Sequence, residues 1–421
     1  MNEHSASVNG ISIYSLTNPN LRSFCLSLYV RAGSIFEDLS NNGISHLFEH
    51  VVFRNIKNKY ENFYELLAMH GLCFQGSTYK KFVSFTIDGP QHEFDFAIEI
   101  LCGLFDEIKL TSHDFNNEKG RIKAEIREKD RRSSLDFYFD SIVWKNSEVE
   151  KIVLGYCKTV DRVSVKKINE FRQKVLSAGN CFVYATGNIS DKNLDALNKK
   201  ISELDISQSN PGFTNTVTVN NEFFHREKKI WIKNNYWHYI QIGFDVDCSK
   251  YPGGVYDLLY ALLFNGDKAL VYNYLSEDNP IIYSYDSTFE QYDNVGNINF
   301  SFEVDRNKIE DVFKTVVELL NAAKDGRFNF EANLNYEMFN WELDLDNPDN
   351  LNWNMAYYNH ILKTQPIDYS DEFYGRFRVT KEQIIDAAKY IFRRCNMTVA
   401  VKGDRKKINA EAIEKILESL D

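Results

Sequence analysis

His46, Glu49 and His50 are the residues of this chain whose types and spacing most directly permit chemistry. On a helix, side chains four apart stand one turn above another, so the two imidazoles converge on one point in space. That is how a helix supplies two ligands to Zn²⁺. Glu49, one residue before the second histidine, is placed to take a proton from water beside such an ion. The bland alternative is two surface histidines flanking a glutamate. With nine histidines in 421 residues, chance alone yields the pattern in roughly one chain in a hundred.

The element that must carry them is a helix over Gly43 to Phe53, because Ile44, Leu47, Phe48, Val51 and Val52 form one apolar stripe along it. The histidines and Glu49 occupy another side, in the order H-x-x-E-H. A tetrahedral site needs a third protein ligand. The segment Asp114 to Arg131 offers carboxylates: Phe115, Ile122 and Ile126 mark its inward face, and Glu118 and Glu125 lie along that same seam. An inward carboxylate is costly without a cation. Lys119 and Arg121 point elsewhere on the wheel, so the expectation is that no local side chain supplies it and that a metal does.

The flanks Ala32-Gly33-Ser34, Glu37 and Gly43, and then Phe53-Arg54-Asn55, complete a pattern. Together with His46, His50 and a glutamate 75 positions further on, it resembles the pitrilysin family of zinc peptidases, which includes insulysin and the mitochondrial processing peptidases. The resemblance implies that His46, His50 and Glu125 bind one zinc, that Glu49 activates water, and that Glu118 is a supporting carboxylate. It implies an α+β fold of two homologous domains, each a mainly antiparallel sheet covered by helices, forming half of a clamshell. The family usually carries Asn-Ala and then Thr on the strand after the second helix, where the backbone pairs with substrate as an added strand. Here the matching positions are Gln75, Gly76 and Thr78.

Size and composition agree with this. A chain of 421 residues with 43% hydrophobic and 26% charged content is that of a globular protein with two domains of about 200 residues. The N-terminal residues have no basic region followed by an apolar run, so no secretory signal is expected. Phe96 to Phe105 is short and contains Glu99, which excludes a membrane span there. Seven scattered cysteines without C-x-x-C spacing read as thiols of a reducing compartment, so the expected location is cytoplasmic. A net charge of −11 argues against nucleic acid as a partner.

In chain order, Gly10–Leu16 and Ser23–Ala32 read as strands, the latter with Phe24, Leu26, Leu28 and Val30 alternating. A helix through Asn62 to His70 stops at Gly71, and Cys73 to Asp88 reads as strand. Helices are expected at about Glu93–Ile108 and Ser112–Arg131, then helix, turn and strand over Val163–Ile189. Residues 206–225, rich in Ser, Asn, Pro and Gly, divide a metal-bearing domain, 1–205, from a second domain, 226–421.

The design repeats. Val163, Ile168, Asn180, Val183 and Gly187 are echoed by Val379, Ile384, Asn396, Val399 and Gly403, each pair 216 positions apart. One offset over a helix and a strand points to duplication. The position answering His46 is Leu262, within an apolar run without His or Glu, so one zinc per chain is expected.

The second domain of the family usually carries an arginine and a tyrosine that anchor substrate. Gly266 to Val271 and Pro280 to Ser284 resemble that region and keep Tyr283, but the arginine position falls on Leu275 or Ser276. No Lys or Arg occurs between Lys268 and Arg306, so a forked, charge-assisted clamp is missing. The favoured explanation is a family-related partner subunit that supplies the pair. Aromatics including Trp353, Tyr357, Tyr358, Tyr369, Phe373, Tyr374 and Phe377 are expected mostly in the core, some lining a peptide chamber. With these residues, the resemblance implies a zinc endopeptidase that cleaves short or unfolded peptides in an enclosed chamber, as the catalytic subunit of a heterodimer processing a precursor peptide. Two other roles stay open: a zinc- and peptide-binding subunit without turnover, and a structural subunit like the respiratory core proteins.

Overall fold

The computed structural model describes residues 3–132, 134–213, 217, 223–363, 366–367 and 376–421. Parts of the expected linker, at 214–216 and 218–222, and the aromatics Tyr369, Phe373 and Tyr374 lie outside them. The first sheet contains β1 (His4–Val8), β2 (Ile11–Thr17), β3 (Ser23–Val30), β4 (Cys73–Thr78), β5 (Val83–Pro90) and β6 (Cys181–Gly187). They lie in the order β1-β2-β6-β3-β5-β4, antiparallel except for β2 against β6. The second sheet contains β7 (Ile230–Asn234), β8 (Tyr239–Asp247), β9 (Asp286–Tyr292), β10 (Val295–Glu303) and β11 (Met397–Gly403). Its order is β7-β11-β8-β10-β9, with only β7 and β11 parallel. Without β1, the first sheet has the same order as the second.

The 216-residue repeat extends through these elements. Helix Val165–Val175 and strand β6 reappear as helix Lys381–Ile391 and β11. Both helices open with a hydroxyl cap, Ser164 or Thr380, that accepts an N–H of the first turn. The fold is thus α+β, two related domains of mainly antiparallel sheet and helices.

One expectation is corrected. Cys73 to Asp88 is not one strand: the chain turns at Tyr79–Phe82, where Tyr79 N–H donates to Phe82 O at 2.8 Å. Tyr79-Lys80-Lys81 has no Gly, Pro or Asn to announce a turn. Tertiary contacts hold it instead, since Lys80 Nζ donates to Val149 O at 2.6 Å and Lys81 pairs with Asp293 at 2.7 Å. Strand β3 is covered on both faces, with Phe24 to Val30 all buried. The cause is helix Pro348–Met355, which belongs to the second half of the chain but packs on β3 and β6 of the first sheet. Its Asn352 accepts from Tyr29 Oη at 2.9 Å and donates to Tyr184 O at 3.0 Å.

The loan is reciprocal. Helix Ser134–Val143 of the first half packs on β8 and β11 of the second sheet. A Cβ on Gly243 would lie 2.5 Å from the Phe139 ring, so only glycine lets that helix approach. Each sheet therefore has its own helices on one face and a helix of the other half on the second. These crossed packings bury Leu16, Tyr29, Leu351 and Met355 in one small core, and Phe139, Trp144, Tyr292 and Ala400 in another.

Candidate metal centre

The histidine helix runs from Ile44 to Lys59, longer than its apolar stripe indicates, and buries Ile44, Leu47, Phe48, Val51, Val52 and Ile56. Its first turn is closed by a carboxylate from the preceding loop. Glu37, buried, accepts from Gly43 N at 2.7 Å, Ser45 N at 2.8 Å and Asn42 Nδ2 at 2.7 Å. These bonds satisfy N–H groups that a helix start leaves open and set the helix immediately before His46.

His46, His50 and Arg54, spaced by four, form a stripe facing helix Ser112–Arg132. From that helix Glu125 Oε2 lies 3.5 Å from His46 Nε2 and 4.0 Å from His50 Nε2. The three ligand atoms all fall within 4.8 Å of one another. Two imidazole nitrogens and one carboxylate oxygen are a donor set suited to zinc with an open position, so the residues present fit the ion. His46 is buried, whereas the Glu125 side chain is 34% exposed, leaving the cluster open on that side.

Glu118 stands one layer out. Its Oε2 is 3.5 Å from His50 Nδ1, on the far side of the ring from Glu125, and so it orients that imidazole. Its Oε1 accepts from Arg54 Nε at 2.6 Å and lies 3.5 Å from Arg121. This corrects the expectation that no local cation meets the inward carboxylates. The cation comes from the histidine helix itself, and the readable signal was Arg54 one turn after His50. Burial pushes Glu118 up, but the bonds from His50 and Arg54 outweigh it and the carboxyl sits below its ordinary range. Burial disfavours a charged His50, yet Glu118, Glu49 and Glu125 together raise it. The same negative surroundings favour a divalent cation.

Glu49 faces a different neighbour. Its Oε2 accepts from Thr78 Oγ1 at 2.7 Å, and a Cβ on Gly76 would lie 2.9 Å from Glu49 Cγ. Burial raises its carboxyl, with His50 opposing. The structure thus brings Glu49, Gly76 and Thr78 together beside the His46, His50 and Glu125 cluster. The Gln75 side chain turns to the other face of β4, where with Asp88, Asp349 and Trp353 it lines a cavity of about 430 Å³. Tyr283 is 98% exposed and touches none of these groups. It lines a cavity of about 960 Å³ with Tyr236 and Trp237 in the second domain. Of the two candidates for the arginine position, Leu275 is fully buried in the second core and Ser276 is half-buried.

A second group, Cys25, Asp88 and Asp349, also comes within 4.8 Å. Burial, with Asp88 and Asp349 adding negative charge, pushes the Cys25 thiol well above its ordinary range.

A family model described as insulinase (peptidase family M16) matches residues 13–155, and one described as the peptidase M16 inactive domain matches residues 162–332. The uncharacterized zinc protease YmxG of Bacillus subtilis is 21% identical over 324 residues, 75% of this chain and 77% of the relative. The mitochondrial-processing peptidase subunit beta of Saccharomyces cerevisiae is 23% identical over 190 residues, 44% of this chain but only 41% of the relative. Among solved structures, a protease from Helicobacter pylori superposes with a TM-score of 0.83 at 18% identity, over 96% of this chain and 99% of that one. The first half of the periplasmic protease PqqL from Escherichia coli gives 0.75 at 14% identity, over 99% and 96%. At these identities the structural likeness speaks to the fold, which is shared end to end. With both of its halves matched in order by models of one family, the chain belongs to the insulinase family of peptidases, M16.

Proposed function

We propose that this chain is a zinc-dependent endopeptidase for short or unfolded peptides. The observation that carries the reading is the convergence of His46, His50 and Glu125 from two separate helices, with Glu49 adjoining them. When bound, zinc supplies Lewis acidity toward a peptide carbonyl and toward water. His46, His50 and Glu125 are its ligands, and Glu118 with Arg54 keeps the His50 ring turned to it. Glu49 accepts a proton from the attacking water and returns it to the leaving amine. The peptide extends the first sheet at β4, an edge strand, whose outer side over Gln75 to Thr78 leaves the N–H and C=O of every second residue for pairing.

The chain acts with a family-related second subunit. The reasons are the missing arginine, whose position falls on Leu275 or Ser276 in a stretch without Lys or Arg from 269 to 305, and a Tyr283 that stands away from the metal cluster. Two such halves enclose a chamber that folded proteins do not enter. No described helix is long and apolar enough to cross a membrane; the place of work we assign is the cytoplasm, a reducing compartment that suits seven scattered thiols. The first domain is taken to end near residue 205 and the second to begin near 226.

The test is zinc content of the purified chain, then cleavage of a quenched peptide with and without a candidate partner. One zinc per chain, and cleavage lost in Glu49→Gln with zinc retained, is the expected result. Zinc with no cleavage under either condition would favour a subunit that binds without turnover; absence of zinc would sink the reading.

A further inference from the structure

Thr78 was assigned above by resemblance, as a substrate-strand residue; its side chain does something else. Strand β4 alternates. Phe74 stacks on Phe53 of the histidine helix with ring centroids 4.6 Å apart, and Gly76 and Thr78 face the same helix at Glu49. Gln75, Ser77 and the following Tyr79 face the opposite cavity. The edge strand therefore presents its inner face to the base and its free edge to any peptide that extends the sheet.

The contact with Glu49 has two parts. The Thr78 hydroxyl donates to Oε2 at 2.7 Å. Oε1 lies over Gly76, 3.1 Å from where a Cβ would stand. One oxygen is thus held by a neutral donor, and the other is left beside the strand where a bound peptide runs. A hydroxyl suits this task better than an amine or guanidinium. It orients the carboxylate without the charge that would depress its basicity.

We infer that Thr78 is a positioning residue for Glu49, fixing the carboxylate on the docking strand so that the base and the bound peptide share one rigid frame. The inference rests on the peptidase reading for its kinetic consequences but not for its geometry. Other side chains could pack at position 78, but Val leaves Glu49 without this hydroxyl donor and free to rotate about its own stem, whereas Ser keeps it. Misorientation of a reacting group by small distances is felt in turnover, not in ground-state binding.

The experiment compares zinc-loaded wild type, Thr78→Val and Thr78→Ser on a quenched peptide, with zinc measured in each. The expected result is kcat reduced about tenfold in Thr78→Val, as loss of one such hydrogen bond implies. KM and zinc content stay unchanged, and Thr78→Ser recovers to within about threefold of wild type. Wild-type kcat in Thr78→Val, or equal losses in both variants, would overturn the inference. If the wild type cleaves nothing either with or without the candidate partner, the peptidase reading fails, and crystal structures of wild type and Thr78→Val decide the positioning separately. A Glu49 carboxylate that leaves its seat over Gly76 in the variant upholds the inference; one that stays in place overturns it.

Discussion

The two domains solve one packing problem in opposite ways. In the first, helix Ile44–Lys59 meets helix Ser112–Arg132 through His46, His50, Arg54, Glu118 and Glu125. In the second, the answering helices are Gly253–Phe264 and Phe330–Asp344. There the position of His46 is Leu262, buried among Leu258, Leu259 and Leu263. The position of Glu125 is Trp341, which packs edge-on against Phe377 and lies under the Arg376 guanidinium. The fold therefore does not require the polar set. A seam of charges in a half-buried position costs desolvation that apolar side chains avoid, so the first domain keeps it at the expense of stability. The difference teaches that these four side chains and Arg54 are not demanded by the scaffold, whose duplicated copy stands without them.

The comparison is broken most directly at its centre. His46→Ala should take zinc from about one per chain to almost none by elemental analysis, since two donors do not hold the ion. Leu262→Ala should leave zinc untouched but cost about 2–5 kcal/mol in urea unfolding, the ordinary penalty of a core cavity. If Leu262→Ala lost zinc as well, the domains would not be separable in this way.

Arg54→Met comes next. It leaves Glu118, with only 3% of its side chain exposed, without its nearest cation, at a cost of about 3 kcal/mol in the metal-free protein. Zinc affinity, measured by competition with a chelator, should weaken about tenfold because His50 loses its support. Unchanged affinity would show that the Arg54–Glu118 pair serves packing alone.

The crossed helices give a smaller effect. Asn352 is buried and bonds Tyr29 and Tyr184, so Asn352→Ala should cost about 1–3 kcal/mol, again read by urea. A loss confined to the second domain by hydrogen exchange would mean that the loan does not couple the halves.

The smallest effect is one of pH. Asp88 pairs across β3 and β5 with Cys25; burial, with Asp349 nearby, pushes its carboxyl up to about 6. Gln241, which answers Cys25, faces Ser301 in the second sheet, with no charge to titrate. A carboxyl raised in the folded state holds a proton there that the unfolded chain has released. Its contribution to stability is therefore full below about pH 4 and is lost as pH rises through about 6. Urea titrations from pH 4 to 7 should show this slope in wild type and a flatter one in Asp88→Asn.

Much of the centre was legible because its signals are local. Histidines one turn apart, the apolar stripe behind them and a second helix with glutamates at heptad spacing can all be read within about 20 residues. The repeat was legible because helix Val165–Val175 and β6 recur at a constant offset. The role of Arg54 was missed although its spacing from His50 was visible, because spacing on one helix does not say which carboxylate of another it meets.

The sequence by itself determined that His46, Glu49 and His50 share one side of a helix, that Glu118 and Glu125 share one seam of another, and that the second half would have no matching set. These follow from periodicity, which backbone geometry imposes on neighbours in the chain. Only the tertiary structure decided that each sheet is covered by a helix of the other half. The same holds for the turn at Tyr79–Phe82, which lysines anchor across the molecule, and for the seat of Glu49 against Gly76 and Thr78. Those features join residues from 27 (Glu49 to Gly76) to more than 300 positions apart, and at such separations a contact is chosen by the packing of whole elements, about which no local pattern carries information.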